Sequence, residues 1–311
     1  MADIKVMNEQ DLQKVTSRQR IVKVLVQIML YTFLVAMAIV VVFPFYFMIL
    51  SSLKSMSVYY SVSEPLLYIN LFKDGEIMWE KLVFSNYVTA FSTGELSRAF
   101  LNTVLVGVVS TLLSLVITVL SAFAFARLEF KGKNTLFAAL LATMMIPGEL
   151  FTITNYVTVT NLKWGDTYQV LIVPFLVSVF YIYLLKQNFM QIPNELYLAA
   201  KVDGTSDIKY LWKVMIPLAL PTLISITILK MMGAWNSYAW PNLVNKSDAM
   251  QLITSALRNA NFSLGDGTAD ARVNYPVQMA AVTLVSIPLF LVFVFLRKYI
   301  MKGVSRSGIK G

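Results

Sequence analysis

Long apolar runs limit how this chain can fold more than any other feature of its sequence. A helix needs about 20 mostly apolar residues to cross the hydrocarbon core of a bilayer, because each residue adds about 1.5 Å. Six stretches of the 311-residue chain meet this requirement. They are Val24 to Leu50, Ala99 to Ala126, Leu136 to Tyr156, Thr167 to Leu185, Val214 to Ala239 and Val277 to Leu296. The sequence therefore predicts an all-α, polytopic membrane protein with six transmembrane helices.

The first apolar run follows a basic segment, so it must be compared with a secretion signal. Lys14, Arg18, Arg20 and Lys23 precede the run. The apolar core of a cleaved signal has about 7 to 15 residues, and this run is much longer. We interpret it as a retained transmembrane helix.

The composition agrees with a membrane location and excludes several kinds of chemistry. Apolar residues make up 57% of the chain and charged residues 14%, whereas soluble domains carry about 25% charged residues. The chain has no Cys and no His. Disulfides, Cys/His zinc sites, Cys nucleophiles and Ser/His couples are therefore excluded.

The positions of the basic residues predict how the chain is oriented, since loops rich in Lys and Arg stay in the cytoplasm. With the N-terminus inside, the inner segments hold 17 of the 26 basic residues and the outer segments hold eight, while Lys230 lies within a span. We therefore expect a multi-pass protein of the cytoplasmic membrane with both termini cytoplasmic. The pI near 9.5 then reflects orientation and does not indicate nucleic-acid binding.

The loops and ends define the expected organisation of the chain. A cytoplasmic arm at residues 1–23 precedes a single transmembrane domain at residues 24–296, and a basic cytoplasmic tail follows at residues 297–311. Within the domain, an inner loop spans residues 191–217 and a long outer loop spans residues 241–276. We expect one short helix in the outer loop, around Gln251 to Asn259.

The inner loop has the pattern of a helix, a turn and a second helix. Pro193 stops the preceding helix, Asn194 can cap the first helix of the loop, and Gly204 can end that helix in the left-handed conformation. Ser206 can then cap the second helix. Because Leu196, Ala199 and Ala200 fall on one helical face, we expect a small cytoplasmic projection that another surface can approach closely.

The residues of this loop resemble the signature of the inner-membrane permease subunits of binding-protein-dependent ABC importers. That signature is Glu-Ala-Ala, three residues, Gly, nine residues, Ile, one residue and Leu-Pro. The chain has Ala199-Ala200, Gly204, Val214 and Ile216-Pro217 at the same spacing.

Other segments resemble the carbohydrate-importer branch of this family, and within it the maltose-type permease subunit that ends in Lys-Gly. They are Ala122-Phe-Ala-Phe-Ala-Arg127, Met145-Ile-Pro147, Trp235-Asn236, Trp240-Pro241, Lys302-Gly303 and Lys310-Gly311. The resemblance covers roughly residues 95–311. It implies a type I ABC importer permease fold and one half of a translocation pathway for a sugar or oligosaccharide.

The resemblance also implies partners and a docking site. The expected partners are a second homologous permease subunit, a dimer of ATPase subunits, an external solute-binding protein and membrane lipid. ATP and Mg²⁺ belong to the ATPase subunits, so we expect no cofactor and no metal site in this chain. The docking residues implied by the resemblance are Glu195, Leu196, Leu198, Ala199, Ala200, Asp203, Gly204 and Pro217.

One departure from the signature concerns the docking contact directly, whereas Thr205, in place of the Ala that follows the Gly in this family, is a milder change. Leu198 replaces the glutamate that pairs with a basic residue of the ATPase in this family. Glu195 lies nearly one turn away and can substitute for that glutamate. Alternatively, Glu195 only favours the N-terminus of its helix electrostatically.

Several polar and aromatic residues in the spans are candidates for lining the solute pathway. They are Glu149, Asn155, Lys230, Trp235, Asn236 and Tyr238. Ionisable residues at membrane depth are costly and are therefore treated as functional by default. Glu149 follows Pro147-Gly148, where we expect a broken helix, and it either lines the pathway or bonds a neighbouring helix. Lys230 either contacts solute or extends to the membrane interface.

The aromatic residues also allow two interpretations. A cluster of Trp235, Tyr238 and Trp240 can stack on sugar rings or form an interfacial aromatic belt.

Functions other than a sugar permease have different sequence requirements. A permease for a glycerol phosphodiester or an anionic sugar has closely similar features. An intramembrane enzyme needs paired carboxylates or a nucleophile with a base, which Glu149 alone does not provide. An ion channel does not need the docking loop. The segment from Gly303 to Lys310 lacks the Lys-Ser/Thr of a phosphate-binding loop, so we expect no enzyme activity and no ATP site in this chain.

Overall fold

The protein is described by a computed structural model that covers residues 9–63, 65–70, 72–73, 76–264 and 272–305. The described chain is mostly helical. Its α-helices are α1 (Glu9–Ser52), α2 (Met56–Tyr60), α3 (Ser85–Ser92), α4 (Leu96–Arg127), α5 (Lys133–Thr143), α6 (Thr152–Asn161), α7 (Tyr168–Ile172), α8 (Val179–Met190), α9 (Asn194–Val202), α10 (Asp207–Tyr210), α11 (Ile216–Leu218), α12 (Leu220–Trp235), α13 (Ala239–Val244), α14 (Ile253–Asn259) and α15 (Tyr275–Ser305).

Short irregular helices and two small hairpins complete the described chain. Single 3₁₀ turns cover Trp79–Lys81, Thr93–Glu95, Gly148–Phe151, Val173–Phe175 and Asp248–Met250, and a π-turn covers Leu211–Met215. The strands β1 (Phe72–Lys73) and β2 (Glu76–Ile77) pair antiparallel, as do β3 (Ser263–Leu264) and β4 (Arg272–Val273). Phe72 pairs with Ile77, and Ser263 pairs with Val273.

The chain divides into two compact units. The first ends at Val83 and contains α1, α2 and the hairpin of β1 and β2. Residues 22–46 of α1 are all exposed, and this stretch is strongly apolar. A helix that is apolar on every side is typical of a membrane span.

The second unit begins at Phe84 and is built around α4. Helices α8 and α12 both pack along α4, and α15 packs against α3 and α12. Small and hydroxyl-bearing side chains allow this close packing, which is common between membrane helices. The buried small or hydroxyl-bearing residues on α4 are Ala99, Thr103, Gly107, Ser110, Thr111, Ser114, Thr118 and Ala122.

Three predicted spans are single helices and three are bent pairs. The unbroken apolar helices are Val22–Ser52, Leu96–Arg127 and Tyr275–Arg297. The bent pairs are Lys133–Thr143 with Gly148–Asn161 (86°), Tyr168–Phe175 with Val179–Met190 (46°) and Asp207–Leu218 with Leu220–Trp235 (80°). Counting each pair as one span gives the six predicted from the sequence.

The break before Gly148 was expected, whereas the bends in the fourth and fifth spans were not. The predicted span from Val214 to Ala239 contains an 80° bend between Leu218 and Leu220. Pro217 explains the irregularity before the bend, since it lacks an N–H donor and its ring clashes with the carbonyl four residues earlier. The π-turn at Leu211–Met215 accommodates that loss.

Candidate functional site

Helices α9 and α10 form the projection predicted for the inner loop. Gly204 has a φ of 68° and ends the first helix in the left-handed region, as expected. Ser206 accepts a hydrogen bond from the Lys209 N–H and caps the second helix, also as expected. The prediction for Asn194 was wrong, because Pro193 occupies the N-cap position and Asn194 is the first helical residue. Pro193 separates α9 from the preceding helix without a side-chain cap from Asn194.

A polar network holds the two helices of the projection together. The Tyr197 hydroxyl donates to Asp207 Oδ1 at 2.7 Å, and Lys201 Nζ lies 2.7 Å from the same oxygen. Burial raises the pKa of Tyr197, and the hydrogen bond to Asp207 raises it further. The hydrogen bond to Asp207 likewise raises the pKa of Lys201. The phenol and the ammonium therefore remain protonated, and both donate across the Gly204 turn.

The projection is anchored on a buried apolar cluster. Tyr210, Leu211 and Met215 are almost fully buried there beside Leu185 and Phe189 of α8. The residues that follow the turn therefore belong to the core of the second unit. Tight burial of this kind fixes the position of the projection relative to the membrane helices.

Arg127 connects the same region to the end of α4. Its Nη2 donates to the carbonyl oxygens of Phe189 at 2.9 Å and Ile192 at 2.6 Å. These carbonyls lie at the C-terminal end of α8, where a cation is favourable. Arg127 thus holds the start of the inner loop against α4.

The outward face of α9 differs from the face expected from the sequence. Tyr197 and Ala200 turn towards the buried cluster and are only partly exposed. Exposed positions recur at Glu195, Leu198, Ala199 and Val202, spaced as one side of a helix.

Leu198 is 55% exposed and Val202 is 88% exposed, although both are apolar. Val202 was not among the docking residues expected from the sequence. Ile208, which is 56% exposed, was not among them either. The sequence feature that could have indicated Val202 is its position four residues after Leu198, on the same face of the helix. The Glu-Ala-Ala signature does not include this position. The other docking candidates Leu196, Asp203, Gly204 and Pro217 are also exposed.

The second unit contains a cavity of about 390 Å³ between α4, α7, α8 and α12. This volume lies in the range of about 300 to 1,000 Å³ that is usual for small-molecule sites. Its polar wall is formed by Ser110, Ser178, Tyr181, Lys230 and Ser237.

The wall of this cavity also includes an aromatic corner. Phe175 meets Trp240 edge to face with ring centroids 5.6 Å apart. The Trp240 indole Nε1 donates to the Val170 carbonyl oxygen at 2.9 Å. The corner is therefore fixed in place by a buried hydrogen bond.

Lys230 is the only predicted pathway residue among those that line the cavity in the described chain. Its Nζ donates to the Phe175 carbonyl oxygen at 2.5 Å. Phe175 ends the helical segment that continues from α7, so the ammonium lies at a helix C-terminus. No Asp or Glu of the described residues lies within ion-pair distance of Lys230.

The other aromatic candidates are placed differently. Trp235 is 8% exposed in an apolar cluster, and its Nε1 donates to the Val285 carbonyl oxygen at 3.1 Å. Arg258 lies 5.0 Å from the centre of the Tyr238 ring. The burial of Trp235 favours a packing role within this subunit over contact with solute or with the membrane interface. Asn236 is exposed at the end of α12.

Glu149 and Asn155 lie along the bend of the third span. Glu149 is exposed in the 3₁₀ turn that follows the break, as expected from Pro147-Gly148. Asn155 is partly exposed on α6. Neither residue lines the cavity that contains Lys230. Among the described residues, no group of three acidic side chains is placed to hold a metal ion.

The loop of residues 241–276 is fixed to α4 by two buried side chains that the sequence analysis missed. Asn102 donates to the carbonyl oxygens of Ala249 and Gln251 and accepts from the Tyr168 hydroxyl at 2.8 Å. Thr103 Oγ1 accepts from the Ile253 N–H at 2.8 Å. Their polar side chains within a predicted span indicate that they form hydrogen bonds inside the protein. The sequence could not identify the partners, which lie about 150 positions away in the chain. The predicted short helix of this loop is present as α14.

Comparisons with known proteins agree with this geometry. Residues 88–306 match the model of the family described as binding-protein-dependent transport system inner membrane component. The chain belongs to this family. Most of the second unit, including the projection and the cavity, lies in the matched segment.

Two relatives illustrate how far the similarity of this permease extends. The arabinooligosaccharides transport system permease protein AraQ of Bacillus subtilis is 27% identical over 92% of this chain and 96% of its own length. The probable ABC transporter permease protein MG189 homolog of Mycoplasma pneumoniae is 31% identical over 88% of this chain and 85% of its own length.

A solved structure shares the fold of this permease. It is the crystal structure of a bacterial ABC transporter involved in the import of the acidic polysaccharide alginate. The TM-score is 0.76 at 21% identity, and the match covers 91% of this chain and 97% of that chain. This similarity confirms the predicted all-α permease fold.

Family membership determines the general role of the permease. It is a membrane subunit of an importer and not itself an enzyme. Importers of this family are binding-protein-dependent, so the role involves a partner permease, an ATPase and a solute-binding protein in general terms.

Proposed function

We propose that this permease forms one half of the translocation pathway of an importer for a sugar or oligosaccharide. A second homologous permease subunit supplies the other half. An external binding protein delivers the solute, and a dimer of ATPase subunits drives transport. ATP and Mg²⁺ are bound by those ATPase subunits. Both termini and the projection of α9 and α10 face the cytoplasm.

The ATPase docks on the projection in this proposal. Leu198, Ala199 and Val202 expose an apolar stripe on a helix whose opposite side is anchored in the core. Exposed apolar side chains on a rigid support are typical of an interface, and central apolar anchors supply most of the binding energy there. With Leu198 in place of the signature glutamate, this docking depends on apolar contact, and Glu195 contributes at the edge.

The solutes of several relatives support a carbohydrate as the cargo. Their names state arabino-oligosaccharides for AraQ and polygalacturonan or rhamnogalacturonan for YtcP, both from Bacillus subtilis. Another is the sn-glycerol-3-phosphate permease UgpE of Yersinia pestis, so a phosphate-bearing solute is the alternative. In our proposal, Lys230 and the cavity wall contact the solute, while Glu149, Asn155 and Asn236 line the path on either side of it.

The docking proposal is tested by placing a charge on the stripe. The variants Leu198→Asp and Val202→Asp should each lower retention of the ATPase subunits on the purified permease pair. Loss of a central apolar contact of about 2 kcal/mol corresponds to about 30-fold weaker binding. Co-purification of the ATPase and solute-stimulated ATP hydrolysis are the measurements.

Val62→Asp is the matched control, because Val62 is another fully exposed valine, far from the projection in sequence. This variant should retain the ATPase at the normal ratio. If the double variant of Leu198 and Val202 keeps normal ATPase retention and stimulation, the stripe is not the docking surface.

A further inference from the structure

The cavity beside Lys230 has the chemistry of a site for an acidic group on a sugar. We propose that Lys230 binds a carboxylate or phosphate group of the solute, so that this permease selects acidic carbohydrates. The inference rests on the proposed function, because it assumes that this cavity belongs to the solute path.

Lys230 carries a charge that no carboxylate of the described residues balances. An ammonium group has three N–H donors. One donates to the Phe175 carbonyl oxygen, and no carboxylate of the described residues is close enough to form an ion pair. Two donors and a positive charge therefore remain for a group in the cavity. A cation in a membrane segment is stabilised when an anion or several acceptors complete its surroundings.

The cavity also has a polar wall around this charge. Ser110, Ser178, Tyr181 and Ser237 place hydroxyl groups on the same cavity as Lys230. The hydroxyls of Tyr181 and Ser237 have no partner among the described residues. Hydroxyl groups can both donate to and accept from the hydroxyls of a sugar. The wall thus suits a polyhydroxylated solute, whereas a simple inorganic cation is repelled by Lys230.

The aromatic corner of the cavity holds Lys230 in place. Phe175 supplies the carbonyl that orients Lys230, and its ring packs on Trp240, which is hydrogen-bonded to Val170. The ammonium is therefore held by a preorganised group and costs little to order when the solute binds. An aromatic face next to a charged group is suited to a sugar ring that bears an acid.

A structural role for Lys230 is the competing explanation. An ammonium at the end of a helical segment can serve only to satisfy the Phe175 carbonyl. The variant Lys230→Gln keeps an N–H donor for that carbonyl and removes the charge. The two explanations therefore differ in what happens when only the charge is lost.

The test uses the reconstituted importer, with this permease, its partner permease, the ATPase and the binding protein. Uptake is measured for trigalacturonate, glucose 1-phosphate and the neutral galactotriose. We expect uptake of one of the two acidic solutes by the wild-type complex and a roughly ten- to hundred-fold loss of it in Lys230→Gln, as for a lost hydrogen bond to a charged group. Lys230→Arg should keep most of it. The acid that is taken up distinguishes a carboxylate from a phosphate.

The lack of native cysteine allows the charge to be restored chemically. In Lys230→Cys, aminoethyl methanethiosulfonate adds a cation, and ethyl methanethiosulfonate adds a neutral group of similar size. Acidic uptake should recover with the first reagent and not with the second. Lys186→Cys is the labelling control, since Lys186 lies over the Phe137 ring and outside the cavity.

The outcomes separate this inference from the proposed function. Equal uptake after the two reagents, normal acidic uptake in Lys230→Gln, or failure of the cysteine to react would each overturn the acidic site. Uptake of galactotriose alone by the wild-type complex overturns the acidic site and leaves the sugar importer intact. If the wild-type complex takes up none of the three and its ATPase is not stimulated, both proposals fall.

Discussion

Gly204 is the residue on which the geometry of the projection depends. Its φ of 68° belongs to a region that residues with a Cβ adopt only at a cost. A Cβ built on Gly204 has no atom within 4 Å, so space is not the constraint. The constraint is the backbone itself, which takes the left-handed conformation at Gly204 between α9 and α10.

Gly204→Val should therefore impose a strain of about 1 kcal/mol or more on the turn. We expect lower solute-stimulated ATP hydrolysis with normal insertion of the permease in the membrane. Gly204→Asn is the matched variant, because Asn tolerates the left-handed region, and it should keep more activity. Gly132→Val applies the same strain at a φ of 80° elsewhere and should leave ATPase coupling intact. Normal coupling in Gly204→Val would contradict the role of this turn.

The residue scale also shows what a sequence cannot specify. Both Trp235 and Trp240 look alike as aromatic residues near the end of a span. In the fold, Trp235 donates to Val285 and Trp240 donates to Val170, which lie 50 and 70 positions away. A local sequence pattern cannot reveal hydrogen bonds between residues so far apart in the chain. The two functions considered for these tryptophans, a solute-binding surface and an interfacial belt, therefore did not include their packing role inside the subunit.

At the scale of elements, the network around Asp207 acts as a brace between α9 and α10. One carboxylate oxygen accepts from Tyr197 and pairs with Lys201, both on the first helix. Because α9 has only nine residues, it depends on tertiary contacts for its helicity. The brace thus keeps the docking stripe in a fixed orientation.

Asp207→Ala should loosen α9 without unfolding the membrane helices. We expect amide exchange in residues 194–202 to accelerate by up to about five-fold, in line with a partly exposed ion pair. Asp207→Asn keeps an acceptor for Tyr197 and should have a smaller effect. Glu129→Gln removes another exposed ion pair, with Lys133, and should leave exchange in α9 unchanged. Equal exchange in all four proteins would show that the network does not brace the projection.

The bends are the elements for which sequence and structure agree least. Hydropathy is summed along the chain and does not report the direction of the helix axis. The apolar run from Val214 to Ala239 therefore predicts one continuous span. The 80° change before Leu220 is nevertheless accompanied by Pro217 and Pro221 in the sequence. The sequence predicts the break at Pro147, where a glycine follows the proline. At Pro217 it predicts only a position of the docking signature, although a proline there also disrupts the helix.

At the scale of the whole molecule, orientation in the membrane is a prediction that still has to be tested by experiment. The count of basic residues places the projection inside and the loop of residues 241–276 outside. The number, order and helical nature of the spans followed from apolar length alone, because bilayer thickness imposes that length on any chain. Contacts such as those of Asn102 did not follow, since they join segments that only the fold brings together.

Cysteine labelling tests this orientation in a chain without native cysteine. Lys209→Cys reports on the projection, and Lys246→Cys reports on the opposite loop; both side chains are exposed. An impermeant thiol reagent added to intact cells should modify Cys at position 246, and at position 209 only after permeabilisation. The reverse result would overturn both the topology and the proposed docking of an ATPase.

The bend before Leu220 also has a consequence for the lipid around the molecule. Beyond it, α12 has 16 residues, or roughly 24 Å of helix, against a hydrocarbon thickness of about 30 Å. This straight segment is too short for an average bilayer, and a shorter segment is accommodated by local thinning at a cost of fractions of a kcal/mol per Å. We therefore expect transport by this permease to depend on the acyl-chain length of the surrounding lipid.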